Sequence, residues 1–145
     1  MGIFSRIMKQ AEQTLNSYTG DSKFLAGVAA AAANVTAADG QIDNEEIDAA
    51  ISGIQANQIL GASYTGSQIE EALTNALNRA KTRSGRLENK RAIEALVTYD
   101  ITARQDVLAI SADVADQGDI GAEEKKVLIE IGSLLGIDAV KFLGL

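Results

Sequence analysis

The chain has 145 residues, with 13 lysines and arginines against 20 aspartates and glutamates, which gives a net charge of −7. It contains no histidine, cysteine, proline or tryptophan. These absences exclude disulfides, thiol nucleophiles, ordinary zinc sites and catalytic triads that use histidine. The acidic balance argues against a nucleic-acid partner, because phosphates attract lysine and arginine. A bound metal would need oxygen ligands, which favours the hard cations Ca²⁺, Mg²⁺ or Mn²⁺.

Apolar residues recur at helical spacing along almost the whole chain, and no segment has the pattern of a strand. The absence of proline removes the residue that most strongly breaks helices. We therefore predict an all-α, single-domain bundle of about seven helices. In chain order these are an amphipathic helix within residues 1–20, then helices over 22–38, 44–58, 67–82, 87–98, 101–115 and 122–135, followed by a closing turn at 138–145.

Short polar and glycine-containing segments set the predicted helix ends. Asp21 and Asp100 precede helices as N-caps, and Gly136 follows one as a C-cap. The pair Ser84-Gly85 is predicted to separate the fourth helix from the fifth. The second helix is apolar on nearly every side and contains five consecutive alanines at 29–33, so we expect other helices to surround it.

Two segments resemble each other at an offset of 78 residues. Residues 38–47 read Ala-Asp-Gly-Gln-Ile-Asp-Asn-Glu-Glu-Ile, and residues 116–125 read Asp-Gln-Gly-Asp-Ile-Gly-Ala-Glu-Glu-Lys. Each lies between two predicted helices, and the paired turn residues are Gly40 with Gly118 and Ile42 with Ile120. The repeat predicts two pseudo-equivalent helical hairpins whose turns come together in space.

Half of all acidic residues belong to two short segments, residues 39–48 and residues 113–124. Neither segment contains a base, and we call them the first and second acidic runs. The first run matches the second half of an EF-hand loop, with acids before a glycine turn and at the start of the next helix. The first half of that loop is missing, because Val35 and Ala37 stand where ligands belong. Candidate cation ligands are Asp39, Asp43, Glu46, Asp116, Asp119 and Glu124.

Helix capping explains the same acids without a metal. Asp43 followed by Glu46 has the spacing of a capping box, and Glu45 with Glu46 favours a helix N-terminus through the helix dipole. Both explanations stay open from spacing alone.

At these residues the sequence resembles the TerB-like tellurite-resistance family. The paired Asp-Gly-x-Ile…Glu turns carry the resemblance, together with a closing segment that contains Leu135-Gly136-Ile137-Asp138 and Phe142. The resemblance spans about residues 24–145, and the amphipathic segment before them is also similar to the family. Asp39, Gly40, Glu46, Gly118 and Glu124 match the family pattern, whereas Gln117 stands where the family usually has aspartate.

The resemblance implies one helical domain over residues 1–145, with residues 1–20 as a loosely attached amphipathic helix and acidic turns suited to divalent metals. It implies a non-enzymatic role in tellurite or general stress resistance, within a membrane-linked complex of partner proteins. Related domains also occur in phages, so a pure protein-interaction or structural role is the alternative. The absence of a recognisable signal or membrane span predicts a cytoplasmic protein, and the N-terminal helix predicts peripheral membrane contact.

Six of the 13 bases lie within residues 79–91, which contain a single acid, Glu88. This segment therefore carries +5 and the rest of the chain −12. The charge separation predicts either a solvated loop between helices or a patch for an anionic partner or lipid surface. The six bases are Arg79, Lys81, Arg83, Arg86, Lys90 and Arg91.

Overall fold

The computed structural model describes residues 21–38, 64–115 and 120–145. These ranges are all-α, as predicted, and contain no strand. The predicted helices within 1–20 and over 44–58 lie outside them, and so does the second half of the first predicted hairpin. The described elements are α1 (Ser22–Thr36), α2 (Gly66–Ala80), α3 (Arg83–Glu94), a 3₁₀ segment (Ala95–Thr98), α4 (Ile101–Ala115), α5 (Ala122–Leu135) and α6 (Ala139–Leu143).

Helix α1 occupies the centre of the described bundle. It packs against α2, α3, α4 and α5, and all of its residues from 27 to 35 are buried. Alanine side chains are small enough to let neighbouring helices approach closely, which explains why a run of five alanines can be enclosed on every side. The prediction of a central second helix is confirmed.

Most predicted helix ends in the described ranges match the structure. The Asp21 and Asp100 carboxylates accept hydrogen bonds from the backbone N–H groups of Phe24 and Ala103, as N-caps do. Helices α4 and α5 have the predicted bounds. Gly136 ends α5 with a φ of 73°, a left-handed conformation in which glycine is favoured. The predicted closing turn contains the short helix α6.

The prediction that Ser84-Gly85 breaks a helix is wrong. Helix α3 begins at Arg83, because Thr82 caps it by accepting a hydrogen bond from the Gly85 N–H at 2.9 Å. Gly85 is buried within the first turn, where any Cβ would overlap the backbone carbonyl of Arg79. The glycine therefore permits close packing of two helices instead of ending one. Within the described ranges, no helix is both long and apolar enough to cross a bilayer.

The central position of α1 predicts a difference between two alanine substitutions. Ala33 is fully buried, whereas Ala122 is exposed at the start of α5. Ala33→Leu should lower the free energy of unfolding by about 1–3 kcal/mol, because added methyl groups overpack a tight core. Ala122→Leu should change it by less than about 0.5 kcal/mol. Thermal melts measure both, and equal melting temperatures would contradict a central α1.

The role of Gly85 predicts a second difference. Gly85→Ala should destabilise the protein by about 3 kcal/mol or more, because α2 and α3 must separate to accommodate the methyl group. Gly66→Ala is the matched control, since a Cβ at Gly66 meets no atom within 4 Å. Urea unfolding of the two variants measures the difference. A Gly85→Ala variant as stable as Gly66→Ala would show that the close approach is unnecessary.

Candidate cation site and basic face

Most of the predicted cation ligands lie outside the described part of the chain. Only Glu124, together with the turn residue Ile120, lies within it. Among the described residues, no group of three or more acidic side chains is arranged to hold a metal ion. The predicted residues outside the described ranges are Asp39, Asp43, Glu46, Asp116 and Asp119, with the turn residues Gly40, Ile42 and Gly118.

Glu124 caps the start of α5. Its Oε1 accepts a hydrogen bond from the backbone N–H of Gly121 at 3.3 Å, which is the glutamate half of a capping box. Ile120, just before this cap, is half-buried and packs against the core. The chain is therefore anchored within the last part of the second acidic run, and a carboxylate lies at the positive end of the α5 dipole.

A cavity of about 230 Å³ lies where the end of α1 meets α3 and α5. Ala38, in its wall, directly precedes the first acidic run. Val127, also in its wall, lies about one helical turn beyond Glu124 in the second run. The cavity therefore adjoins chain segments that border both runs. Its lining residues are Asn34, Ala37, Ala38, Arg86, Lys90, Val127 and Glu130.

Two charged groups meet at the edge of this cavity. Lys90 Nζ lies 3.1 Å from Glu130 Oε1, which links α3 to α5. Both side chains are partly exposed, so water screens the pair and it contributes at most about 1 kcal/mol. Arg86 Nη1 donates to the Ala80 carbonyl at 2.9 Å, which satisfies a backbone acceptor at the end of α2.

A polar network inside the bundle joins α1, α2 and α3. Asn89 is fully buried, and its Nδ2 donates to Asn34 Oδ1 at 2.9 Å and to the Ala76 carbonyl at 3.0 Å. Asn89 Oδ1 accepts from Arg79 Nε at 2.8 Å, and Asn34 Nδ2 donates to the Arg86 carbonyl at 3.3 Å. Buried amides are tolerated when their donors and acceptors are paired in this way.

The six bases of residues 79–91 therefore divide into two groups. Arg79, Arg86 and Lys90 bind groups within the protein, as described above. Lys81, Arg83 and Arg91 are exposed. Arg83 and Arg91 lie eight residues apart on α3, with Leu87 midway between them and 48% exposed. Residues four apart share a side of a helix, so Arg83, Leu87 and Arg91 form one surface, here called the basic face.

The family model described as tellurite resistance protein TerB matches residues 25–144 of the chain. The chain belongs to the TerB family. The match begins within α1 and extends beyond α6, so it includes every described helix in part or in full. The resemblance seen in the sequence is thereby confirmed. No curated protein and no solved structure matches the chain.

Sequence reasoning missed a cluster around Asp21, which lies four residues before the TerB match begins. Tyr99 Oη donates to Asp21 Oδ2 at 2.7 Å, and Tyr64 Oη donates to the Asp21 backbone carbonyl at 3.3 Å. These tyrosines are 78 and 43 residues from Asp21 in the chain, so no local pattern could pair them with it. The cap of α1 thus also holds the segments that precede α2 and α4.

The surroundings of Asp21 change the acidity of two groups. Burial raises the pKa of the Asp21 carboxyl, but hydrogen bonds from Tyr99 and from the Phe24 N–H lower it, and the net pKa is below 3.8. Burial, with the Asp21 charge as a smaller cause, raises the pKa of the Tyr64 hydroxyl well above 10.0. Tyr64 is therefore a neutral hydrogen-bond donor at physiological pH.

A second residue that the sequence did not single out is Asp106 in α4. Asp106 is only 1% exposed, although the sequence predicted a helix over 101–115 without identifying a buried acid in it. A carboxylate is costly to bury, so its presence in the core of this TerB domain requires compensation by its surroundings. It lies two helical turns before position 113, where the second acidic run begins.

The Asp21 cluster predicts a specific acid sensitivity. The folded-state pKa of Asp21 is depressed, so its stabilising contribution is present above pH 3.8 and is lost as pH falls from there through the lower folded value. Asp21→Asn should preserve the N-cap but remove this pH-dependent contribution. The difference in melting temperature between wild type and Asp21→Asn should therefore shrink below pH 3.8.

The same site predicts a mutational cost at neutral pH. Asp21→Ala should lower the free energy of unfolding by about 1–2 kcal/mol, because it removes the cap and the acceptor of Tyr99. Asp138→Ala, which removes the cap of the five-residue helix α6, is the control and should cost less. Urea unfolding compares them, and a larger loss for Asp138→Ala would contradict the central role of Asp21.

Proposed function

We propose that this TerB domain is a non-enzymatic acidic binding module whose two acidic runs jointly hold a divalent cation. In this proposal it acts in tellurite or general stress resistance, as one component of a complex with partner proteins at a membrane surface. Membership of the TerB family supports the resistance role. The absence of histidine and cysteine supports a binding role over catalysis, because it removes the commonest acid–base and nucleophilic groups.

The cavity between α1, α3 and α5 is the observation that carries the cation proposal. Ala38 and Val127 share its wall, so the segments that border the two acidic runs lie close together at one place in the bundle. Carboxylates brought together from two turns repel one another, and a divalent cation relieves that repulsion. The pseudo-repeat supports the same arrangement, because each run begins at the end of a small-residue helix.

The ligand chemistry favours Ca²⁺, Mg²⁺ or Mn²⁺. The runs offer carboxylate and backbone oxygens without any nitrogen or sulfur ligand from histidine or cysteine. Glu124 is the one proposed ligand whose position is described, and it begins a helix beside the cavity. In the cation-bound protein the Glu124 carboxylate would coordinate the ion, and it would either keep or give up its hydrogen bond with the Gly121 N–H.

The competing function is a protein-interaction or structural module, in which the acids only cap helices. The hydrogen bond from Gly121 to Glu124 favours this alternative, because it gives that carboxylate a role without a metal. The two functions differ in one measurable property, which is whether stability rises with the concentration of divalent cation.

Cation binding predicts a rise in melting temperature when Ca²⁺, Mg²⁺ or Mn²⁺ is added to chelator-treated protein. At a free cation concentration of 100 Kd the stabilisation should be about 2.7 kcal/mol. Glu124→Gln should keep the basal melting temperature, because glutamine also completes a capping box, but it should reduce the cation-induced rise. Asp39→Ala should abolish that rise.

The matched control is Glu70→Gln, which removes the same charge from an exposed position in α2. It should leave the cation-induced rise unchanged. Calorimetric titration of each variant gives Kd directly. If wild type neither binds a cation nor gains stability, while Glu124→Gln remains as stable as wild type, the acids act as caps and the interaction module is the correct function.

A further inference from the structure

The basic face on α3 is not covered by the described part of the chain. Arg83 and Arg91 are exposed, and neither takes part in the ion pairs formed by the described residues. Leu87 between them is among the most exposed large apolar side chains in the described ranges. The exposed acid Glu88 lies beside them on α3, yet Lys81, Arg83 and Arg91 together leave the local charge at +2.

The position of Arg83 is unfavourable for the helix that carries it. It occupies the first turn of α3, where the helix dipole favours acidic residues, and that turn contains no acid. Three other bases of the same segment satisfy acceptors or an acid within the fold, whereas Arg83 and Arg91 do not. Among the described residues these two arginines have no acidic partner, and they contribute positive charge to the surface.

The acidic runs have the complementary chemistry. Residues 39–48 contain five acids and no base, and Ile42 and Ile47 stand among the acids. A segment that contains both acids and isoleucines complements a face that places a leucine between two arginines, because the two surfaces match in charge and in apolar character. One copy of the chain thus carries both a basic face and its complement.

We propose that the basic face of one molecule binds the acidic run 39–48 of a second copy. The second copy is the favoured occupant because Arg83, Leu87 and Arg91 are exposed and the chain itself carries the acidic complement of the face. The contact joins two different surfaces, so it is a head-to-tail contact that leaves one face and one run free at the ends. It produces open oligomers that grow with protein concentration and dissociate as salt screens the charges.

Sedimentation velocity of the full chain in metal-free buffer tests this assembly. Wild type should self-associate at low ionic strength and dissociate at 0.5–1 M salt, where the Debye length falls to roughly 3–4 Å. Arg83→Glu with Arg91→Glu should weaken self-association by at least about a hundredfold, because reversed charges at an interface repel. Asp43→Asn, Glu45→Gln and Glu46→Gln together should weaken it as well.

The decisive measurement mixes the variant that carries both arginine substitutions with the variant that carries the three acidic-run substitutions. The first retains its acidic run and the second retains its basic face, so the mixture should form a 1:1 complex although each variant alone is monomeric. Lys125→Glu with Lys141→Glu is the control, since it makes the same charge change at exposed sites outside the basic face and should still self-associate. Circular dichroism confirms that each variant folds.

Three results would overturn the proposal. Wild type could remain monomeric at every protein and salt concentration, or the mixed variants could fail to form a complex. A third contrary result is a monomeric wild type that binds phosphatidylserine vesicles and loses that binding in Arg83→Glu with Arg91→Glu. That result would assign the basic face to a lipid surface instead.

Discussion

The burial of α1 on every side is the constraint on which the described structure depends. Because the alanine side chains of α1 are small, neighbouring helices can pack close to it, and α2, α3, α4 and α5 all contact it. Close approach leaves little room for adjustment, since one added methyl group at Ala33 or Gly85 meets atoms that are already packed. The helix itself is positioned at its start by Asp21, which the hydroxyl groups of Tyr64 and Tyr99 reach from distant segments.

The single polar side chain buried in α1 helps to set how α3 sits against it. Asn34 must satisfy its amide, and it does so with Asn89 and with the Arg86 carbonyl. This requirement assigns Asn89 to the interior side of α3, where its Oδ1 also accepts from Arg79 of α2, and leaves Arg83 and Arg91 on the exterior side. The orientation of α3 set by this amide thus helps to divide the basic segment into bases that bind groups within the fold and bases at the surface.

Local physical chemistry explains which helices could be predicted. Asp100 and Gly136 act through groups within four residues of themselves, so α4 and α5 were predicted with their correct bounds. The prediction for Gly85 is wrong because its role depends on Arg79 in the preceding helix. The local sequence does not distinguish a glycine needed for close packing from a glycine that ends a helix. The spacing of the acids along the chain predicted the candidate cation ligands. Only the folded structure shows that Ala38 and Val127 line the same cavity.

The sequence by itself determined the helical class, the family, the central alanine helix and the separation of charge between acidic runs and a basic segment, because composition and periodicity depend on neighbouring residues alone. Tertiary structure decided which charges are available. Lys90 pairs with Glu130, and Arg86 binds the end of α2, while Arg83 remains exposed. Asp106 is buried in the core although it is an acid. Burial and pairing depend on residues that are far apart in the chain, and for that reason spacing along the sequence could not reveal them.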